Sequence, residues 1–336
     1  MQDLGIVVIG RNEGDRLRQC LLSVRQEIDN IVYVDSGSTD DSIATAKSLG
    51  VEVVELDLSA PFSAARARNE GFARAIALYP QLRFVQFVDG DCTVVAGWLK
   101  TAYSIMSQRS ELAAICGRRR EKFPQQSVYN LLCDIEWNTP VGEADACGGD
   151  AMMRVEAFQQ VDGFNPSLIA GEEPELCLRL RKKGWKILRH DADMTLHDAQ
   201  ITRFSQWWKR AMRAGYAYIE VPSLHPEDEP QYWAKENKSI RLWGFFIPAA
   251  IIGLFWLTHG WILLLLLGYL LIIYKIYGYM LTTGLSTKDS LAYAISCVIG
   301  KFPQMQGQLQ FYLGKLLGKR QSLIEYKQNF TDSQAK

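Results

Sequence analysis

Charged residues are absent from one long stretch of the chain, between Leu242 and Tyr274. Elsewhere charge is plentiful, since the 336 residues include 37 basic and 37 acidic side chains, and 48% of all residues are hydrophobic. The apolar residues are therefore concentrated in one block, which excludes a wholly soluble protein, a disordered chain and a collagen-like or coiled-coil rod. A formal net charge of zero also gives no reason to expect nucleic acid as a partner.

The sequence lacks the cysteine pattern of a disulfide framework. Its seven cysteines, at positions 20, 92, 116, 133, 147, 177 and 297, contain no C-x-x-C pair, and their odd number cannot pair completely. Residues 1–10 carry no basic region, and the apolar run Ile6–Ile9 is too short for a signal peptide. We therefore expect a reduced, cytosolic environment for the polar part of the chain.

Residues 1–235 alternate short apolar runs with helical patterns, which predicts an α/β fold with a Rossmann-like, mostly parallel sheet. Asp40 is predicted to cap the second helix and Gly50 to end it. The predicted strands are Leu4–Ile9, Asn30–Val34, Val51–Glu55 and Arg83–Val88, and the predicted helices are Asp15–Gln26, Asp40–Leu49 and Ser63–Leu78.

Acidic residues follow two of the predicted strands. Ligand sites form at the carboxyl ends of parallel strands, so Asp35 and the pair Asp89 and Asp91 are the first candidates for a site. The spacing of Asp89-Gly90-Asp91 allows two carboxylates to converge on one hard cation, Mg²⁺ or Mn²⁺. The alternative is a pair of solvated turn residues.

The C-terminal part of the sequence predicts membrane attachment. Residues 236–282 are expected to form two helices that meet near Thr258–Gly260, the second ending near Leu281, with one steeply tilted helix as the alternative. Before them, Val221–Pro230 is expected to be a surface linker or lid. Residues 283–336 are expected to form an interfacial amphipathic segment and a basic tail. Lys315, Lys319 and Arg320 would face lipid headgroups, and flanking bases favour both ends in the cytosol.

Six motifs occur in an order that resembles the family 2, inverting glycosyltransferases of GT-A fold. The resemblance extends over about residues 1–220. Two positions depart from the family pattern: Ser36 replaces the second Asp of the V-D-D-G-S-T-D turn, and Glu173 replaces an Asp. The motifs are Val7–Glu13, Ile31–Asp40, Ala67–Gly71, Asp89–Asp91, Gly148–Phe164 and Gly171–Leu176.

The resemblance implies roles for named residues. It implies that a Mn²⁺ or Mg²⁺ ion is bound by Asp91, Asp89 and His197. For Asp35 the alternative is a turn residue, and for Arg68 a solvated helical arginine. The residues implied on the donor side are Asn12, Glu13, Asp35, Arg68 and Asp89.

By the same resemblance, Glu173 is the base that deprotonates the acceptor, with an exchange of roles with Glu172 left open. A structural alternative is that these acids only begin a helix at Pro174. On the acceptor or diphosphate side the candidates are Gly149, Arg210 and Trp207. The segment that contains the last two could instead be a helix that docks on the membrane through its tryptophans.

The implied activity is transfer of a sugar from a nucleotide-sugar donor to a lipid-linked or other membrane-associated acceptor. The expected location is the cytoplasmic face of the plasma membrane, and the product a cell-surface or exopolysaccharide glycan. Two alternatives stay open: transfer to a polyprenyl phosphate by the same fold, and a non-catalytic scaffold. Nucleotidyl transfer ranks last because the chain has no glycine-rich phosphate loop.

Overall fold

The computed structural model describes residues 1–60, 62–226 and 233–318. Within these ranges the chain forms two compact units. The first comprises residues 1–123 and 136–199, and the second comprises residues 124–135 and the described residues from 200 onward.

A mixed sheet forms the centre of the first unit. In the described ranges its order is β3-β2-β1-β4-β8-β6-β9-β5, with β7 paired to β9. The strands are β1 Leu4–Gly10, β2 Ile31–Asp35, β3 Glu52–Glu55, β4 Phe84–Asp89, β5 Cys92–Val94, β6 Leu112–Glu121, β7 Gly142–Glu143, β8 Ala151–Arg154 and β9 Lys186–His197. Strands β1 to β4 are mutually parallel, as are β6 and β9, whereas β5, β7 and β8 run antiparallel to their neighbours. The predicted α/β class is confirmed.

The helices of both units follow the chain in a simple order. They are α1 Asp15–Arg25, α2 Ser42–Ser48, α3 Ala64–Leu78, α4 Trp98–Gln108, α5 Val128–Glu136, α6 Val155–Gln160, α7 Glu172–Lys182, α8 Phe204–Leu224, α9 Ala234–Arg241, α10 Ile247–Leu254, α11 Leu266–Thr282, α12 Thr287–Ile299 and α13 Lys301–Leu316.

The predicted strand ends are one residue too short at the two acids of interest. Asp35 pairs with Gly10, and Asp89 pairs with Ile9, so both acids belong to the strands themselves. Ladder pairing depends on the backbone, and a polar side chain does not end it. Both carboxylates therefore begin at the carboxyl edge of the sheet in fixed positions.

The predicted helix cap at Asp40 is wrong by one residue. Helix α2 begins at Ser42, and Asp41 precedes it without capping it through its side chain. Asp40 still accepts a hydrogen bond from the Ser42 backbone N–H through Oδ1, and its Oδ2 accepts one from the Gly14 N–H. Asp40 therefore links the start of α2 to the start of α1. Gly50, with φ +66°, ends the helix as predicted.

The apolar block is divided where the sequence predicts. Helix α9 continues through a π-helical turn, Leu242–Phe246, into α10, because Pro248 has no N–H for a regular helical bond to the preceding turn. The chain then turns at His259 and Gly260, both at positive φ, and helical structure begins again at Trp261.

Among the described residues, one helical segment, Trp261–Thr282, has the length and hydropathy to cross a membrane, judged on those two properties alone. Its leucines face outward, with Leu270 and Leu271 each 61% exposed. Of the two predicted spans, only the second has these properties. Lys319, Arg320 and the last four residues of the predicted linker lie outside the described ranges.

The predicted interfacial segment forms helix α13, which packs closely on α8 in the second unit. A Cβ at Gly215 would lie 2.0 Å from the Gln304 carbonyl oxygen, and one at Gly307 would lie 2.0 Å from the Met212 carbonyl oxygen. The other face of α13 exposes Leu313 and other apolar residues. The helix is therefore amphipathic, with one face buried in protein, and contact of its outer face with lipid stays a prediction.

We predict that Gly71→Ala destabilises the protein, because a Cβ there would lie 2.4 Å from Val7 Cγ1 and 2.8 Å from Val34 Cγ2. Overpacking of this kind costs about 1–3 kcal/mol, which corresponds to a fall of roughly 2–12 °C in the thermal unfolding midpoint in detergent. Glu70→Ala on the exposed side of the same helix is the control. Equal midpoints for the two variants would contradict this packing of α3 on the sheet.

Candidate active site

Asp89, the last residue of β4, lies between two guanidinium groups. Its Oδ1 is 2.7 Å from Arg68 Nη2, and its Oδ2 is 2.9 Å from Arg119 Nη2. Arg68 comes from α3 and is 3% exposed, and its Nη1 also pairs with Glu172 Oε1 at 3.0 Å. The donor-side residues Arg68 and Asp89 are thus brought together, and both oxygens of Asp89 are engaged by arginines.

Asp150 holds this cluster to the sheet, and sequence reasoning missed it. It is fully buried. Its Oδ1 accepts the backbone N–H of Asp89 at 2.9 Å. Its Oδ2 lies 2.7 Å from Arg119 Nη2 and accepts the Thr195 hydroxyl at 2.8 Å. One carboxylate therefore joins the ends of β4, β6 and β9.

The charges of this cluster stabilise one another. Burial opposes ionisation of Asp89, but Arg68 and Arg119 outweigh it and hold the pKa of Asp89 well below its usual range. Burial would lower the pKa of Arg68, but Asp89 and Glu172 raise it above the ordinary value. Asp89 and Arg68 are therefore both charged at neutral pH.

Asp91 and His197 form a second buried pair. The structure places His197 at the end of β9, with Nε2 3.3 Å from Asp91 Oδ2 and Nδ1 3.7 Å from Glu121 Oε2. Two ligands bound to one octahedral ion through bonds of ~2.1 Å lie about 3 Å apart. The donor set of one imidazole and one carboxylate therefore fits a single Mn²⁺ or Mg²⁺ ion.

Trp137 contacts both parts of the site and was also missed. Its ring meets the imidazole of His197 edge-on, with centroids 4.8 Å apart, and lies 5.6 Å from the Arg119 guanidinium carbon. The side chain is only partly buried. An aromatic face next to a cation and a metal-binding pair can stack on a ring of a ligand.

The two candidate bases lie side by side at the start of α7 but in different surroundings. Glu172 is 14% exposed and paired with Arg68. Glu173 is 7% exposed. Its Oε1 accepts the backbone N–H of Cys147 at 2.6 Å and the thiol of Cys177 at 2.9 Å. Pro174 occupies the first turn, so the helix-starting role expected as the alternative is also present.

Gly149 lies directly against the arginine cluster. A Cβ at this position would be 2.5 Å from Arg68 Nη2 and 3.4 Å from Asp89 Oδ2. A side chain here would displace the guanidinium. Gly149, a predicted site residue, therefore lies next to Arg68 and Asp89.

Asp35 has the turn role that was the alternative to donor binding. It is 1% exposed. Its Oδ1 accepts the Tyr33 hydroxyl, and its Oδ2 accepts the backbone N–H groups of Gly37 and Ser38. At 1% exposure, Asp35 presents almost no surface to a nucleotide in this structure.

Asn12 and Glu13 shape the neighbouring turn. The side chain of Asn12, a residue at φ +55°, accepts the Thr39 N–H at 2.7 Å, while its backbone N–H donates to Ser38 Oγ. Glu13 pairs with Arg16 at 2.8 Å. Asn12 thus ties the ends of β1 and β2 together at the carboxyl edge of the sheet.

Trp207 and Arg210 lie on α8 in the second unit. Trp207 is 6% exposed and stacks on Tyr129, with ring centroids 6.2 Å apart. The expectation that Trp207 docks on a membrane is therefore wrong, because its ring is buried against protein. Trp208, which is less buried, donates to Gln306 on α13.

Taken together, the first unit has an acid-rich and arginine-rich site at the carboxyl ends of the parallel strands of a mixed sheet, as in nucleotide-binding α/β proteins. Residues 5–162 match the family described as glycosyl transferase family 2. This segment of the chain is therefore a glycosyl transferase family 2 domain, as the motifs implied.

Two curated relatives illustrate the similarity. The pre-mycofactocin glycosyltransferase of Mycobacterium tuberculosis is 23% identical over 67% of this chain and 49% of its own length. A TPR repeat-containing protein of Synechococcus elongatus is 35% identical over 42% of this chain and 33% of its own length. The chain thus spans half or less of these relatives.

Among solved structures, a mannosyltransferase from Pyrobaculum calidifontis, in complex with GDP-mannose and Mn²⁺, is similar with a TM-score of 0.52 and 16% identity. The match covers 88% of this chain and 86% of that chain. At this identity the likeness shows the fold.

We predict that Asp150→Asn destabilises the protein strongly, because the buried Arg119 guanidinium loses one of its two carboxylate partners. Breaking a buried pair costs about 3–5 kcal/mol, whereas an exposed pair contributes about 0–1 kcal/mol. The matched control is Asp193→Asn, which removes the exposed pair of the adjacent Arg120. In detergent, the thermal unfolding midpoint should fall strongly for Asp150→Asn and little for Asp193→Asn. A small fall of similar size in both variants would contradict the role given to Asp150.

Proposed function

We propose that this protein transfers a sugar, with inversion, from a nucleotide-sugar donor to an acceptor held at the membrane. The observation that carries the proposal is the buried pair of Asp91 and His197 beside the cluster of Arg68, Asp89 and Glu172. The solved mannosyltransferase with similar fold binds GDP-mannose and Mn²⁺, which supports a nucleotide sugar and a divalent metal here.

The charge of the site favours a bound cation. The arginine cluster and the adjacent His197 pair together contain five carboxylates and two guanidinium groups, and this excess of carboxylates would repel a diphosphate. A divalent ion on Asp91 and His197 would offset that excess and stabilise the departing nucleoside diphosphate as a Lewis acid. The carboxylates are those of Asp89, Asp91, Glu121, Asp150 and Glu172, and the guanidinium groups those of Arg68 and Arg119.

Arg68 and Arg119 hold Asp89 rather than standing free for a phosphate. With both of its oxygens engaged, Asp89 would serve the donor by fixing the two guanidinium groups at the edge of the sheet. The direct metal contact then falls to Asp91. Asp89 therefore stays among the donor-side residues. To coordinate the metal as well, its carboxylate would have to move away from at least one of the two arginines.

Glu173 is the proposed base for the acceptor hydroxyl. Both of its hydrogen bonds are made by Oε1, and it has no ion pair in the described residues. Glu172, in contrast, has its Oε1 held by Arg68 at 3.0 Å, so it would have to leave this ion pair to approach an acceptor. Proton transfer from the acceptor to Glu173 would accompany formation of the glycosidic bond.

The acceptor is proposed to be a lipid-linked saccharide at the cytoplasmic face of the plasma membrane. The candidate membrane segment Trp261–Thr282 supports membrane attachment. A polyprenyl phosphate acceptor is the alternative, and it needs no base because a phosphate is already ionised.

We expect Glu173→Gln to reduce nucleoside diphosphate release in the presence of acceptor by about 10²–10⁴-fold, the usual contribution of a general base. The assay uses purified protein in detergent with Mn²⁺, a panel of nucleotide sugars and a lipid extract. Donor affinity should be unchanged.

Two further variants make this result specific. Glu156→Gln, an exposed glutamate at the start of α6, should retain full activity. Glu172→Gln should weaken donor binding through Arg68 and lower kcat less than Glu173→Gln does. Full activity of Glu173→Gln would contradict the assignment of the base and favour a polyprenyl phosphate acceptor.

The membrane assignment gives a separate prediction for α11. The double substitution Leu270→Arg and Leu271→Arg should release the protein from membranes during alkaline extraction, because each arginine at a helix centre costs about 2.5–3.5 kcal/mol on insertion scales. Leu78→Arg, at an exposed leucine of the first unit, should leave the protein in the pellet. Release of the wild-type protein under the same conditions would show that α11 does not span a bilayer.

A further inference from the structure

Two buried thiols lie against the proposed base. Cys147, in the loop before β8, and Cys177, in α7, have Sγ atoms 3.6 Å apart. The Cys177 thiol donates to Glu173 Oε1 at 2.9 Å. All three residues are buried, and their sulfur and oxygen atoms lie within 4.8 Å of one another. The family motifs described above assign no role to either cysteine.

The spacing of these atoms suits a soft metal ion. Two thiolates on one tetrahedral zinc, with Zn–S bonds of ~2.3 Å, have sulfur atoms about 3.8 Å apart. The observed 3.6 Å separation is close to this value. A disulfide, in contrast, has its sulfur atoms at about 2.05 Å, which would require movement of a buried loop against a helix.

The position of the cluster on its elements also favours anionic ligands. Glu173 and Cys177 are four residues apart in α7, within the first two turns of the helix. The backbone N–H groups at a helix start favour negative charge nearby. Residues four apart lie on the same helical face, so the carboxylate and the thiolate would point to one place, where Cys147 completes the set.

We propose that Cys147, Cys177 and Glu173 form a site for a soft divalent metal such as Zn²⁺, separate from the Asp91 and His197 pair. Binding would release the two thiol protons and leave one coordination position open to water. Burial raises the pKa of the Cys177 thiol to about 11, so at neutral pH the thiols are protonated and poor nucleophiles toward oxidants, whereas a metal displaces the protons as it binds.

A metal ion at this site would bind the carboxylate of Glu173, the proposed base. Glu173 Oε1 would become a zinc ligand and lose its availability for the acceptor proton, so Zn²⁺ would inhibit transfer. This consequence rests on the proposed function, whereas metal binding itself does not.

Cobalt is a suitable probe, because thiolate ligation gives Co²⁺ an intense near-ultraviolet charge-transfer band that oxygen and nitrogen ligands do not give. Titration of the reduced full-length protein in detergent should produce this band, saturating at one equivalent and displaced by Zn²⁺. The band should be lost in Cys147→Ser and in Cys177→Ser. It should persist in Cys297→Ser and in Asp91→Asn, which separates the site from the Mn²⁺ or Mg²⁺ pair.

The following outcomes would contradict the metal site or separate it from the proposed function. Absence of the band in the wild-type protein, or its persistence in both thiol variants, would overturn the proposal. So would formation of a Cys147–Cys177 disulfide in place of metal binding. Circular dichroism establishes that the variants are folded. If the band behaves as predicted but no transfer is detected with any donor, the metal site stands and the proposed function fails.

Discussion

The carboxylate of Asp150 is the interaction on which the site depends. It has no exposed surface, and it fixes the end of β4 through the Asp89 N–H while neutralising Arg119. Without it, Arg119 would keep only Asp89 as a carboxylate partner in the described part of the chain. Because an unpaired charge in the interior is costly, the cluster forms as a unit or not at all. The position of Asp91, two residues beyond Asp89, follows from this arrangement.

The local part of the architecture could be predicted from the sequence. Strands β1, β2 and β4 are apolar runs ended by acids, and helices α1 and α3 have clear polar and apolar faces, so the sheet edge and Asp35, Asp89 and Asp91 were located in advance. His197 was found because the family resemblance implies a metal-binding residue, often a histidine, at this stage of the fold. Its pairing with Asp91 confirms only that these two residues meet.

The remainder of the site depends on contacts distant in sequence. Arg119 is the middle of three consecutive arginines, a pattern typical of a solvated strand, and it enters the site only because β6 pairs with β9 with register shifts on either side of Arg118. Asp150 follows two glycines and has the appearance of a turn residue. Trp137 lies in an irregular segment with no periodicity. None of these positions has a local signal that distinguishes it from a surface residue.

The substitution of Glu for Asp at position 173 has a structural counterpart. The longer side chain reaches the Cys147 backbone and the Cys177 thiol, so the carboxylate is held by groups on a loop and on its own helix. The same contacts that orient the proposed base bring it next to two thiols, which links its availability to the chemistry of those sulfur atoms.

Metal-dependent sugar transfer to a membrane acceptor can be tested by the release of nucleoside diphosphate. Release of nucleoside diphosphate from a panel of nucleotide sugars is followed with Mn²⁺ for the wild-type protein and for Asp91→Ala, with and without a lipid extract. We expect release from one donor that requires both Asp91 and lipid. No release from any donor, together with no binding of nucleoside diphosphates in the presence of Mn²⁺, would contradict it and favour a non-catalytic scaffold.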